Sequence, residues 1–143
     1  MRRYPDAGDT APLGSIAVQG QGRDLAIVTY GNGTYLSTQT QARLKDAGIN
    51  ARIVDLRWLA PLADDAVLAA TKDCKRVLIV DECRRTGSQS EALTSLFAEH
   101  GRKDVARVTA KDSFIATGPA YGATLPSADG IFSAARELVQ NPE

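Results

Sequence analysis

The chain has 143 residues, which is the usual length of one domain and enough to bury a hydrophobic core. Lysine plus arginine equals aspartate plus glutamate at 17 each, so no overall field favours nucleic acid or an anionic membrane surface. Hydrophobic residues make up 43%, and no apolar run approaches the roughly 20 residues of a membrane-spanning helix. We therefore expect a globular domain with neither nucleic acid nor membrane among its partners.

The cysteines and the first residues indicate the compartment. Cys74 and Cys83 have neither metal-ligand spacing nor further cysteines to form a disulfide framework, which is typical of free thiols in a reducing compartment. Arg2 and Arg3 have no apolar segment behind them, so no secretory signal is predicted. Both observations predict a cytoplasmic location.

Apolar runs and helical spacings alternate along the chain. Residues 1–13 are rich in Pro, Gly and Asp and are predicted to be a linker, and residues 15–19 a short edge strand. Further strands are predicted at 24–30, 51–56, 76–81 and 105–109, and helices at 34–47, 64–72, 88–100 and 127–139. Strands that alternate with helices predict a three-layer α/β/α sandwich around a mainly parallel sheet of about five strands.

The stretch from residue 76 to residue 93 is the most informative. A short apolar run, Val77 to Val80, predicts a strand that is buried on both faces, and it ends in Asp81 and Glu82. Polar groups at the carboxyl end of such a strand lie where open α/β sheets gather ligands or partners. Adjacent strand residues point to opposite faces, so this pair cannot address one substrate atom as general acid and base. We expect instead a polar strand end that caps neighbouring backbone or pairs with an arginine: Arg57, Arg84 or Arg85.

Two other polar motifs allow alternative interpretations. Gly31-Asn32-Gly33 follows a strand but belongs to no G-x-G-x-x-G or Gly-Lys-Ser/Thr pattern, which favours a tight turn over a phosphate loop. A helix that starts there could still bind an anion. Arg84 and Arg85 could bind a phosphate or an acidic partner, or could belong to a solvated loop.

Three loops are unusually apolar. Trp58-Leu59-Ala60-Pro61-Leu62, Phe114-Ile115 and Tyr121 either pack over the end of the sheet or form part of an interface, where Trp is enriched. His100 is the single histidine and is placed near a helix end, so no Ser/His/Asp or Cys/His set can form. The residues therefore predict an α/β domain without a complete active site.

Four motifs occur in this order along the chain: Leu13-Gly14, GRDLAIVTYG (22–31), VDLRWLAP (54–61) and RVLIVDECRRTGSQSEAL (76–93). In order and spacing they resemble the C-terminal domain of the transketolase family, and in particular the beta component of the thiamine-diphosphate-dependent 2-oxoacid dehydrogenases. Asp112-Ser113-Phe114-Ile115 and the Asp-Glu-x-Arg-Arg-Thr-Gly form look like the variant in which alpha and beta parts are fused. The common second glycine of the turn is Ser88 here, and the usual histidine is Asp81.

The resemblance implies a domain, residues 14–143, that works as part of a larger enzyme and that residues 1–13 link to an upstream domain. In that family thiamine diphosphate and magnesium are held by other domains, so neither cofactor nor catalytic residue is expected in this chain. The implied partners are the missing N-terminal domains or alpha subunit, in a homodimer or heterotetramer, and the lipoyl acyltransferase of the complex. The interface candidates are Tyr30, Gly31, Arg57, Trp58, Asp81, Glu82, Arg84, Arg85, Glu91 and Phe114.

The same resemblance leaves other parent enzymes open: transketolase itself, a deoxyxylulose-phosphate synthase or a 2-oxoacid:ferredoxin oxidoreductase. An unrelated alternative is a free-standing flavodoxin-like module that binds an anion at residues 31–33. The 2-oxoacid of the parent enzyme is not predicted, because substrate pockets in this family lie mostly in other domains.

Overall fold

The computed structural model of the chain describes residue 6, residue 8 and residues 10–140. The strands are β1 (Ala17–Gln19), β2 (Leu25–Thr29), β3 (Ala51–Asp55), β4 (Arg76–Arg84) and β5 (Val105–Ala110). The helices are α1 (Gly31–Asp46), α2 (Asp64–Thr71), α3 (Gln89–Glu99) and α4 (Ala128–Gln140), and a short 3₁₀ helix covers Gly118–Ala123.

The five strands form one sheet in the order β1-β3-β2-β4-β5. β1 runs antiparallel to β3, and the other three pairings are parallel. This confirms the predicted mainly parallel five-stranded sheet. The chain leaves β2 for β3 on one side and returns to β4 on the other, so the strand order reverses between β2 and β4. The carboxyl ends of those two strands are therefore the switch point, where α/β sheets most often place a site.

The apolar runs that predicted β2 and β4 fill the centre of the sheet. Their side chains alternate between two hydrophobic clusters, one on each face. Ala26, Val28, Val77 and Ile79 pack with Val67 of α2 and with Leu93, Leu96 and Phe97 of α3. Leu25, Ile27, Leu78 and Val80 pack with Leu44 of α1 and with Ile131 and Ala135 of α4. The two clusters confirm the three-layer α/β/α sandwich.

Residues that commonly cap helices stand at several helix ends. Ser127 Oγ accepts a hydrogen bond from the Gly130 N–H at 3.0 Å, as an N-cap residue does. His100 ends α3, and its Nδ1 lies 2.9 Å from the Leu96 carbonyl oxygen. Gly48 takes a φ of +80° directly after the C-cap of α1. The start of α1 was predicted too late, because the helix begins at Gly31, directly after Tyr30.

The predicted end of the third buried strand is also wrong. β4 continues past Asp81 to Arg84, because the ladder with β5 resumes beyond an irregularity and pairs Arg84 with Ala110. Cys83 and Arg84, which lie beyond the predicted strand at 76–81, are therefore strand residues. Residues 1–5, 7 and 9 of the predicted linker lie outside the described residues.

Candidate functional site

The switch point brings together two residues that are 51 positions apart in the sequence. β2 and β4 pair in register with Thr29 beside Val80, so Tyr30 and Asp81 follow side by side. The Tyr30 hydroxyl donates a hydrogen bond to Asp81 Oδ1 at 2.5 Å. Tyr30 is partly buried, and Asp81 is fully buried. This contact joins the end of β2 to the middle of β4.

The Asp81 carboxylate accepts three hydrogen bonds, one from a side chain and two from backbone N–H groups. Besides Tyr30, its Oδ1 accepts the Cys83 N–H at 2.8 Å, and its Oδ2 accepts the Ser90 N–H at 2.7 Å. Ser90 lies in the first turn of α3, where backbone N–H groups have no partner within the helix, and where negative charge is favourable. The prediction that this strand end caps neighbouring backbone is confirmed. Within the described part of the chain, Asp81 forms no ion pair with an arginine.

Tyr30 is held in its protonated form. Burial raises the pKa of the Tyr30 phenol well above its usual range, and the hydrogen bond to the Asp81 carboxylate raises it further. The Tyr30 hydroxyl also lies 3.5 Å from the exposed Cys83 Sγ. A phenol that keeps its proton cannot act as a base near neutral pH. The arrangement is therefore suited to fixing the geometry of the strand ends.

Neighbouring side chains leave little room for a Cβ atom at Gly31 and Gly33, which follow β2. A Cβ on Gly33 would lie 2.2 Å from Thr29 Oγ1, and a Cβ on Gly31, whose φ is +54°, would lie 2.6 Å from Glu82 Oε1. Such distances are shorter than van der Waals contact, so neither position accepts a larger residue without movement. A carboxylate of the chain itself thus lies against the start of α1. This placement favours the tight-turn interpretation of Gly31-Asn32-Gly33 over the phosphate loop.

The loop after β4 is fixed by two other carboxylates. Asp112 accepts hydrogen bonds from the Thr86 N–H at 3.0 Å and from the Thr86 hydroxyl at 2.7 Å, which lower the pKa of the Asp112 carboxyl. Glu91 Oε2 accepts the Gly87 N–H at 2.9 Å. Arg84 Nε donates to the Thr86 carbonyl oxygen at 3.0 Å. The loop is therefore ordered although its residues are exposed.

Apolar side chains remain exposed around this end of the sheet. Phe114 is 100% exposed, Ile115 56%, Tyr121 55% and Leu59 37%. A groove of about 480 Å³ beside them is lined by apolar and charged residues, among them Ile115 and Glu82. Arg57 is exposed and takes a φ of +56°, a left-handed conformation that is uncommon outside glycine. Exposed aromatic and arginine side chains are the residue types enriched at protein interfaces.

All ten predicted interface residues lie in the last part of β4 or beyond the carboxyl end of a strand, but the structure brings only some of them into contact. Tyr30 and Asp81 bond to each other, and Gly31 lies against Glu82. Arg84, Arg85 and Glu91 lie on or beside the loop after β4, Arg57 and Trp58 follow β3, and Phe114 follows β5. The sequence did not indicate Ser90 or Thr86. Ser90 acts through its backbone N–H, which every residue except proline has, and an exposed threonine in a loop has no sequence pattern that marks its hydroxyl as a donor.

The chain is similar to a known protein family and to several known proteins. The family model described as transketolase, C-terminal domain, matches residues 14–131. The 2-oxoisovalerate dehydrogenase subunit beta of Bacillus subtilis is 34% identical over 89 residues, which cover 62% of this chain and 27% of that protein. The pyruvate dehydrogenase E1 component subunit beta of the same organism is 29% identical over 148 residues, covering 97% and 44%. The chain therefore spans less than half the length of these relatives.

Solved structures show the same fold. A split-gene transketolase, described as an inactive beta4 tetramer, matches with a TM-score of 0.82 at 22% identity, covering 91% of this chain and 44% of that one. The 2-oxoglutarate:ferredoxin oxidoreductase of Magnetococcus marinus matches with a TM-score of 0.67 at 21% identity, covering 88% and 20%.

Proposed function

Because this chain belongs to the transketolase C-terminal domain family, we propose that it is the assembly domain in the beta part of a 2-oxoacid dehydrogenase, within the decarboxylating first component. The curated relatives support this parent over a transketolase, since the sequence matches are to dehydrogenase beta subunits at 34% and 29% identity. The structural matches, at 22% and 21% identity, bear on the fold alone.

The observation that carries the proposal is the exposed apolar surface at the carboxyl ends of the strands. Phe114 is fully exposed, and Tyr121 and Ile115 are more than half exposed. Monomeric soluble proteins rarely leave such groups together, whereas a domain that contacts other domains must present them. The buried Asp81 joins the end of β2 to β4 and to the start of α3. Asp112, two residues before Phe114, accepts hydrogen bonds from Thr86 and so joins the segment after β5 to the loop after β4.

In this proposal thiamine diphosphate and magnesium are bound by other domains or by an alpha subunit. Among the described residues, no group of three or more His, Cys, Asp or Glu side chains is placed to hold a metal ion. We expect the isolated chain neither to bind thiamine diphosphate with magnesium in a calorimeter nor to release carbon dioxide from a 2-oxoacid. Tight magnesium-dependent binding by this chain alone would contradict the proposal.

The proposed partners are the N-terminal domains or alpha subunit of the same enzyme, in a homodimer or heterotetramer, and the lipoyl acyltransferase. A chimera tests the first of these: this chain replaces the corresponding C-terminal part of the Bacillus subtilis pyruvate dehydrogenase E1 subunit beta. We expect the chimera to co-purify with its alpha subunit, and Phe114→Ser with Tyr121→Ser to reduce recovery several-fold. Val18→Ser, at an exposed apolar position of the distant strand β1, is the matched control. Equal loss in the control would remove support for this surface.

Described residues include no helix long and apolar enough to cross a membrane. The cytoplasmic location stays a prediction.

A further inference from the structure

β5 is an edge strand whose outer hydrogen-bonding groups are open. Val77 donates its N–H to the Asp104 carbonyl oxygen at 3.0 Å, and Val77 is aligned with Val105. In a parallel ladder this pattern turns alternate residues of β5 toward β4 and leaves the others facing outward. The outward-facing residues are Val105, Arg107 and Thr109. In the described part of the chain, their backbone N–H and C=O groups bond to no other segment.

Natural proteins usually protect such an edge, because a row of unpaired N–H and C=O groups pairs readily with another strand. β5 has six residues, contains no proline, and carries one charged side chain. That side chain, Arg107, is directed toward Ser90 and the Arg85 carbonyl oxygen, at 3.3 and 3.4 Å. It does not cover the edge along its length.

A groove of about 1460 Å³ lies along the amino-terminal part of this edge, bounded by α4 and by the loops that end α2 and α3. Six of its 17 lining residues are cationic: Lys72, Lys75, Arg76, Arg102, Lys103 and Arg107. Two of these cations are neutralised within the chain, Lys75 by Asp24 at 2.8 Å and Arg102 by Asp104 at 2.9 Å. The other four cations are accompanied by one further lining carboxylate, Glu137. The groove therefore has an excess of positive charge in a chain whose net charge is zero.

Pairing of β5 with a second copy of itself is disfavoured by charge. When a two-fold axis perpendicular to the sheet relates two antiparallel copies of β5, each residue directs its side chain to the same face in both copies. Residues that lie opposite each other share a face, so their sequence numbers must differ by zero or by an even number. One of the two allowed registers that pair five of the six strand residues sets Arg107 against Arg107 and Lys103 against Lys111. The other sets Asp104 against Asp112. Like charges directly opposite each other destabilise a sheet.

We propose that the outer edge of β5 binds an extended, acidic segment of another polypeptide as a sixth strand. The backbone groups of Val105, Arg107 and Thr109 supply the ladder hydrogen bonds, and Lys72, Arg76 and Lys103 attract the carboxylates of the incoming segment. This surface lies at the side of the sheet and is separate from the apolar surface at the carboxyl ends of the strands.

The test uses two labelled nine-residue peptides and the full chain. One peptide alternates glutamate with valine, and the other has lysine at every glutamate position. At low salt we expect the acidic peptide to bind about tenfold more tightly than the basic one, and the difference to shrink as salt rises. Amide hydrogen exchange should slow at Arg107 and Thr109 when the acidic peptide is bound.

Two variants separate edge pairing from simple charge attraction. Thr109→Pro removes an outward N–H that the fold does not use, and we expect it to weaken binding about tenfold, whereas Thr109→Val keeps the N–H and the affinity. If the proline variant does not fold, the double variant Lys72→Glu with Lys103→Glu serves in its place and should abolish the preference for the acidic peptide.

Three results would overturn the proposal. These are equal affinity for the two peptides, equal binding by Thr109→Pro and Thr109→Val, and a concentration-dependent dimer that Thr109→Pro dissolves. The last result would assign the edge to a second copy of the chain.

Discussion

Replacing Asp81 with asparagine tests whether the buried carboxylate organises the carboxyl ends of the strands. Asparagine has nearly the same shape, but its amide has one acceptor oxygen. If that oxygen keeps the bonds from Tyr30 and Cys83, the amide NH₂ faces the Ser90 N–H, and a buried donor in the first turn of α3 loses its partner.

The expected loss of stability follows from these contacts. A hydrogen bond to a charged acceptor contributes about 1.5–3 kcal/mol, and a buried unsatisfied donor costs about 1–3 kcal/mol. The two overlap, and an amide is easier to bury than a carboxylate, so we expect Asp81→Asn to lower the free energy of unfolding by about 2–4 kcal/mol. For a chain of this length, that corresponds to a fall in Tm of about 5–15 °C.

Urea unfolding followed by circular dichroism measures this loss. Asp112→Asn is the matched control, because Asp112 also accepts two hydrogen bonds, from Thr86, but lies exposed, and we expect a much smaller effect. Tyr30→Phe removes one bond to the Asp81 carboxylate and should cost about 1.5–3 kcal/mol. An Asp81→Asn variant as stable as the parent chain would refute the reasoning. The free-energy cost of burying the carboxylate would then be at least as large as the stabilisation from its three hydrogen bonds.

Three further outcomes are expected. The raised pKa of Tyr30 means that the folded chain keeps a proton that the unfolded chain loses near pH 10, so stability should fall as the pH rises above 10, and Tyr30→Phe should reduce this fall in alkaline urea titrations. Gly33→Ala should destabilise by about 1–3 kcal/mol, as read from thermal unfolding, because its Cβ meets Thr29 Oγ1, and adding Thr29→Ala should restore part of the loss. Burial raises the pKa of the Cys74 thiol, so a thiol reagent should modify the exposed Cys83 in the folded chain and Cys74 only after unfolding; rapid modification of a Cys83→Ser variant would contradict this.

The sheet could be predicted from the sequence because its central strands are buried on both faces. Leu25–Thr29 and Val77–Val80 form short apolar runs for that reason, and the helices between them show helical spacing. The end of β4 could not be predicted, because Glu82, Cys83 and Arg84 are polar and join the sheet only through the resumed ladder with β5. The polar side chains at this point favour a loop, but backbone pairing with β5 keeps residues 82–84 in the strand.

The candidate site was predicted less completely for a different reason. Asp81 was identified as a capping residue from its position at the end of an apolar run, but its partner Tyr30 depends on the order of the strands. β2 lies between β3 and β4, so residues 51 positions apart become neighbours. No local pattern in the sequence records that order.

The two edges of the sheet differ, and the difference limits how the molecule can grow by addition of strands. β1 has three residues and runs antiparallel to its neighbour, while β5 at the opposite edge has six. A segment that docks on β5 therefore binds a sheet whose opposite edge offers only the three residues of β1 for strand pairing. One copy of the chain therefore cannot join two such segments through its two edges, whereas a sheet with two long open edges could link segments into a filament.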